Sequence, residues 1–268
     1  MRNAATFQRI AHEAPFCDAG HGFDPFGLHP PALARIVELA APLYERYFRV
    51  ESDGVDRIPA RGPAILVSNH GGVLPVDGAM LCLDVLRRLS PPRIPRPIAD
   101  HFVPRIPIVA TAFARWGVVS GTRANVRYLL EHGELLAIWP EGVSGPAKHF
   151  RDRYRLQRWS VGFAEHAIRH CAPVIPVAVL GSEESWPLAA KLRAIHAFGA
   201  PYWPIPLSPG PLPAHYRIQY GAPIHLDREH IAADADDPEI VAAAAERVRK
   251  ALQQLVDDAR DARRGLFR

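Results

Sequence analysis

The sequence predicts an α/β fold, a mostly parallel central sheet flanked by helices, with an amphipathic helix ahead of it. Three observations carry this. After Gly54 short, uninterrupted apolar runs alternate with helix-period stretches. The runs are continuous instead of alternating apolar with polar, as strands covered on both faces require. And the helical stretches are marked at their ends: Thr122 and Asp237 stand as hydroxyl and carboxylate caps, Pro238 opens a first turn, and Gly133 lies just past an end.

Residues 1–30 mix Gly, Pro, His and aromatics without a period and read as an irregular lead-in. From Leu33 to Arg49 the apolar positions Leu33, Ile36, Val37, Ala40, Tyr44 and Phe48 recur at helical spacing, with Pro42 placed to kink the helix. The organisation is therefore an N-terminal segment and amphipathic helix over 1–50, then a body over 51–268 closing on a C-terminal helix. Strands are predicted over Ala64–Ser68, Trp116–Val119, Leu135–Pro140 and Val174–Leu180. Helices are predicted over Asp77–Leu89, Thr122–His132, Arg158–His170 and from Pro238. The stretch 186–213 differs: Leu188, Leu192, Ile195, Phe198, Tyr202 and Trp203 are interleaved with prolines, glycines, Lys191 and Arg193. Such a mixture suits a membrane interface, and equally a long packed loop closing the sheet edge.

With 268 residues, 48% hydrophobic and 22% charged, the chain has material for one substantial core and is not a disordered tail. The net charge of +4 is too small for an arginine-stripe nucleic-acid binder. Cys17, Cys82 and Cys171 are odd in number and without paired spacing, so neither a disulfide framework nor a zinc ribbon is expected. No apolar stretch reaches the roughly 18 residues of a membrane span, and the N-terminus lacks a secretory apolar segment. The expected location is the cytoplasmic face of a membrane, held peripherally or monotopically. Proline, at 27 residues, is far above its usual share and implies many stiff loops.

Four segments carry the chemistry. Ser68-Asn69-His70-Gly71-Gly72 directly follows a buried strand, and Asp77 begins the next helix. A histidine at the carboxyl end of a parallel strand sits where such sheets open their crevice. An acid that folds back to one ring nitrogen fixes the tautomer and leaves the other nitrogen as a general base. Gly117 to Arg123 ends a short strand and sets a guanidinium at a helix start, where an anion is favoured. Leu135 to Gly142 is a buried strand ending in the carboxylate of Glu141, and Val174 to Ala178 is a strand interrupted by Pro176. His166 and His170 could share a metal, but no third ligand stands at suitable spacing; His12, Cys17, His21 and His29 have no ligand pattern either. Nucleotide-binding glycine loops and a Gly-x-Ser-x-Gly nucleophile are absent.

In this order and at these separations, over residues 51–226, the segments resemble the four blocks of the glycerolipid acyltransferase superfamily. Asn69, His70 and Asp77 match the first block, Gly117 and Arg123 the second, Pro140, Glu141 and Gly142 the third with Trp139 as its aromatic, and Ile175, Pro176 and Val177 the fourth. The resemblance implies a glycerolipid acyltransferase-like fold and transfer of a fatty acyl group from acyl-CoA or acyl-carrier protein to a glycerolipid hydroxyl, of lysophosphatidate or another lysophospholipid. His70 would be the base, Asp77 its orienting acid, and no acyl-enzyme or cofactor would be needed. Asn69, Gly117, Arg123, Glu141 and Gly142 would serve substrate binding, Arg123 on a phosphate.

Two departures stand out. Six residues separate His70 from Asp77 where the family has four, so the loop must bulge on Gly71 and Gly72. Val143-Ser144 replaces a Thr-Arg pair, removing a cation that Lys148, Arg151 or Arg153 would have to supply. That loss leaves open a neutral alcohol such as diacylglycerol as acceptor. A lipid or thioester hydrolase, or an inactive lipid-binding module, is the competing reading. Expected partners are the acceptor lipid, the acyl donor and a membrane surface, and not nucleic acid.

Overall fold

Strand Ala64–Ser68 is buried at every position because it lies in mid-sheet with a layer on each side. The computed structural model describes residues 2–146, 148–192 and 199–263. In chain order the elements are α1 (Arg2–Gln8), α2 (Pro30–Pro42), β1 (Glu51–Asp53), β2 (Ala64–Ser68), α3 (Val76–Arg88), β3 (Pro95–Ala99), α4 (Val109–Arg115), β4 (Val119–Ser120) and α5 (Arg123–Glu131). There follow β5 (Leu135–Ile138), α6 (Gly162–Arg169), β6 (Val174–Leu180), α7 (Ser182–Ser185), β7 (Leu188–Leu192), β8 (Trp203–Pro206), β9 (Arg217–Tyr220) and α8 (Pro238–Asp261).

Seven strands form one sheet in the order β1-β9-β6-β2-β5-β3-β4, parallel except where β9 runs against β6. Side chains of β2 alternate between two cores. Leu66 faces a layer of α2 and α3 through Leu33, Val37, Leu81 and Val85. Ile65 and Val67 face α5, α6 and α8 through Leu129, Phe163 and Leu252. Both faces are thus covered, as the unbroken apolar strands require. The register aligns Val67 with Ile138 and Ser68 with Val177, so β2 and β5 end together while β6 runs on to Leu180 beside the chain that leaves β2.

Several boundaries differ from expectation. The lead-in holds α1 and a wide turn over Arg9–Glu13, and Ile10 and Leu28 enter the first core. Because α2, Tyr44 and Phe48 join the same core as Leu66, the boundary at residue 50 divides sequence textures and not packing units. Pro42 ends the regular helix, which continues as one π-type turn over Leu43–Tyr47, Phe48 N–H donating to the Leu43 carbonyl. The apolar stripe of α2 is spent on the core, whereas Leu39 (75% exposed), Leu43 and Tyr47 face outward.

Trp116 caps α4 instead of starting a strand, and β4 is only Val119–Ser120. The strand β3 is hidden in the sequence by Pro95 and Pro97; two apart, they lack N–H groups on one side only, and β3 pairs with β5 over Pro95–Pro97 and with β4 from Ile98 onward. Between 186 and 213 the chain forms an antiparallel hairpin of β7 and β8, while Arg193, Ile195 and Phe198 lie outside the described residues. Among the described residues no helix is long and apolar enough to cross a membrane.

Candidate active site

The site grows from the point where β2 runs out. Asn69 closes the strand with both ends of its amide on Val179 of β6: Nδ2 donates to the carbonyl at 2.9 Å and Oδ1 accepts from the N–H at 2.8 Å. It is a brace between strands, fully buried, with its polar atoms engaged by the protein. The chain then turns outward through His70, Gly71 and Gly72, the last at φ 86° with its Cα pressed toward the Ser182 carbonyl. This excursion absorbs the extra length of the spacer and returns the chain to the first turn of α3.

There Asp77, fully buried, puts Oδ2 2.6 Å from Nδ1 of His70. The same oxygen accepts from the Gly71 N–H at 3.0 Å, and Oδ1 accepts from the Gly78 N–H at 2.8 Å. Helix α3 aims its amino-terminal dipole at this carboxylate. With Nδ1 engaged, Nε2 is the nitrogen left to take a proton, on a side chain 16% exposed. Burial pulls the imidazole pKa down, but the charge and hydrogen bond of Asp77 more than reverse this, with Glu141 adding to the rise and Lys148 opposing it, so the net shift is upward from 6.5. The ring of Trp139 lies 5.8 Å away, wedged over Gly78, where a Cβ would meet it at 3.1 Å.

Glu141, at the end of β5, takes no solvent-facing role. Its Oε1 accepts from the backbone N–H of His70 at 3.0 Å and its Oε2 from that of Gln157 at 2.7 Å. Gly142 follows at φ 49°, donating its N–H to the Trp139 carbonyl in the turn that carries the chain past His70. At Gly145 a Cβ would sit 2.7 Å from both the Cβ and the carbonyl oxygen of His70, so this turn packs directly on the base.

The structure therefore gathers Asn69, His70, Asp77, Glu141 and Gly142 at one end of the sheet. Gly117 and Arg123 flank β4, at the sheet edge three strands from β2, Gly117 before that strand and Arg123 just beyond its carboxyl end. Gly117, at φ 88°, gives its carbonyl to Nε of the buried Arg96 at 3.0 Å, at the amino-terminal end of β4 and thus at the opposite edge of parallel strands. Arg123 begins α5 behind the Thr122 cap as expected, but its side chain is 82% exposed and pairs with Glu165 of α6 at 2.9 Å. Of the replacement cations, Lys148 is buried between Glu141 and Glu183, Arg151 is exposed beside Asp152, and Arg153 stacks over Phe150 at 4.6 Å.

Sequence reading missed Glu183, Tyr154 and Gln157. Two acids directly after the buried run of β6, Glu183 and Glu184, were the available signal, since carboxylates are rarely buried unless paired. Cys82 does feel Asp77, yet burial first and that charge second push its thiol up to about 12, which keeps it protonated and non-nucleophilic. His166 and His170 stack at 5.9 Å, and among the described residues no three potential ligands gather as a metal set.

Comparison with known proteins places the chain among acyltransferases. The family model described as acyltransferase matches residues 49–180. An uncharacterised protein of Mycobacterium tuberculosis is 37% identical over 258 residues, covering 92% of this chain and 72% of its own length. The human protein named DGAT1/2-independent enzyme synthesizing storage lipids is 29% identical over 213 residues, 77% of this chain and 60% of that one. The crystal structure of the 1-acyl-sn-glycerophosphate acyltransferase from Thermotoga maritima superposes with a TM-score of 0.57 at 17% identity, covering 87% of this chain and 81% of that chain.

Proposed function

The chain belongs to the acyltransferase family, and on that premise we propose that it is a glycerolipid acyltransferase that moves a fatty acyl group from a thioester, acyl-CoA or acyl-carrier protein, onto a lipid hydroxyl. The observation that carries this is the His70–Asp77 contact at 2.6 Å. Nε2 of His70 removes the hydroxyl proton as the oxygen attacks the thioester carbonyl. Asp77 holds the ring and stabilises the imidazolium that forms. Collapse of the tetrahedral intermediate breaks the C–S bond, and the proton on Nε2 passes to the leaving thiolate. No acyl-enzyme and no cofactor enter this route; the thioester is a co-substrate.

For the acceptor, a neutral alcohol such as diacylglycerol is favoured over lysophosphatidate or another lysophospholipid. Arg123 lies 82% exposed against Glu165 at the sheet edge, away from His70 by three strands, and Lys148 is buried between Glu141 and Glu183. Asp77 and Glu141 outnumber the one ammonium beside the base, a field that disfavours a phosphate monoester, while burial raises the Glu183 carboxyl to about 7 and leaves it only partly charged. The storage-lipid name of the human relative points the same way.

The lipid would be met at a membrane surface on the cytoplasmic side, with peripheral attachment. Leu39, Leu43 and Tyr47 form an outward stripe, and the Tyr47 hydroxyl donates to the Pro211 carbonyl, next to exposed Leu212. Purified protein given labelled acyl-CoA and a panel of acceptors tests the whole reading. Ester formed on diacylglycerol in preference to lysophosphatidate supports it; free fatty acid released without acceptor makes the protein a hydrolase; no turnover of any kind makes it a binding module. Co-sedimentation with anionic vesicles at background level would remove the membrane contact.

A further inference from the structure

We propose that Lys148 and Glu183 are positioning residues for the base: together with Glu141 they form a buried clamp that fixes the backbone of His70 and Gly71 and so holds the imidazole over its acid. This rests on the acyl-transfer reading above for its kinetic meaning.

The clamp draws on four parts of the chain. Nζ of Lys148 lies 2.9 Å from Oε1 of Glu183 and 3.2 Å from Oε2 of Glu141. Glu141 in turn holds the His70 N–H, and Glu183 holds the Tyr154 N–H through Oε2 at 2.7 Å. The Glu183 side chain also forms the wall against which the loop rests, since a Cβ on Gly71 would fall 2.3 Å from its Cγ. From the other side Gly145 backs onto His70, and its carbonyl accepts from the Lys148 N–H at 3.2 Å. His70 is thus gripped at its own N–H and at the next residue, independently of the Asp77 contact to its ring.

Two physical arguments make this more than a structural ion triad. Buried carboxylate–ammonium groups are seldom the cheapest way to fill a core, because desolvation offsets much of their attraction; placement beside a reactive group is where such a group gains a purpose. And the six-residue spacer with two glycines leaves the stretch between base and acid free to move, so an external restraint is needed to keep the base within about half an ångström of productive geometry. The groups facing His70 are Asp77 on α3, Glu141 after β5, Lys148 on the loop beyond it and the Trp139 ring; Glu183, after β6, reaches it through Lys148. Burial lowers the Lys148 pKa, but Glu183 and Glu141 more than reverse this and keep it protonated, so it supplies the one positive charge opposing the two acids that raise His70.

The test compares Lys148→Met, Lys148→Arg and Glu183→Gln with the unmodified chain, by acyl-transfer kinetics across pH, thermal melting and NMR titration of the labelled His70 ring. Lys148→Met should lower kcat roughly a hundredfold with KM within about twofold, as expected for a misplaced group that acts only in the transition state. It should also move the acid limb of kcat and the ring midpoint upward, because the charge that opposes Asp77 and Glu141 is gone. Lys148→Arg should restore the midpoint and most of kcat. Glu183→Gln, which keeps the ammonium, should lower kcat roughly tenfold without a comparable rise in KM. A Lys148→Met protein that melts earlier but keeps its ring midpoint and kcat overturns the proposal. If that variant does not fold, Glu183→Gln decides, and kcat within about twofold of the unmodified chain overturns it. Should the unmodified chain transfer no acyl group, the proposed function falls, while the ring titration still decides the clamp.

Discussion

Replacing Asp77 with Asn isolates the acid's charge while nearly preserving its shape. In the native site one carboxylate oxygen serves both His70 Nδ1 and the Gly71 N–H, and the other serves the Gly78 N–H. An amide has one acceptor oxygen, so its NH2 must face either a backbone donor or the ring. Turned to the ring, the NH2 makes Nδ1 the acceptor and moves the proton to Nε2, where no base remains, and it opposes the Gly71 N–H that shared the same oxygen. Turned to Gly78, it leaves two donors opposed, at a cost of about 1–3 kcal/mol in stability. Loss of a correctly held general base costs about 10²–10⁴ in rate, or about 3–5 kcal/mol of barrier. Because Asp77 is the main influence raising the His70 pKa, any residual activity should have its acid limb at lower pH than the native limb, which lies above 6.5. The assay is continuous release of free thiol from acyl-CoA with saturating acceptor, beside a urea melt to separate activity from folding. Turnover within about threefold of native at neutral pH, in a folded Asp77→Asn protein, would refute a His70 base oriented by Asp77.

Other expectations are more local. Gly145→Ala should reduce kcat by roughly tenfold or more with little change in KM, because a Cβ there falls 2.7 Å from His70; steady-state kinetics check it. Arg123→Ala should leave KM for every acceptor within about twofold, since an exposed pair with Glu165 contributes little; a large rise confined to phosphorylated acceptors would return the guanidinium to the binding site. His70→Ala should abolish transfer without unfolding the protein, and wild-type rates in that protein would remove the mechanism. Tyr220→Phe takes one of three hydroxyl donors, with Tyr44 and Ser52, from the buried Asp84. It should cost about 2–3 kcal/mol in urea unfolding while sparing kcat.

What the sequence could reveal follows physical lines. The strands β2, β5 and β6 were legible because a strand covered on both faces must be apolar throughout. The starts of α5 and α8 were legible because Thr122 and Asp237 accept the hydrogen bonds their types suggest, from Asn125 and from Glu239 and Ile240. The base and its acid were legible because both belong to one strand–loop–helix step. Strand β3 was not, because its prolines mimic a loop, nor were β1 and β9, too short to show a period. Glu183 was invisible as part of the site, since it meets Lys148 across 35 residues of chain and nothing local marks the meeting. Arg123 was found at its helix start, but its partner comes from another helix, and no local pattern names that partner.

The carboxyl of Asp84 has a consequence for where this protein can be cut. It sits two turns beyond Asp77 on the same helix, and the phenols that satisfy it come from Tyr44 and Tyr220, on either side of the stretch 49–180 that matches the family. A fragment trimmed to that stretch would carry the base, its acid and most of the surrounding charges, yet would strip two of three donors from an acid sealed in the interior. The shortest piece with all the reactive groups is therefore shorter than the shortest piece able to fold around them.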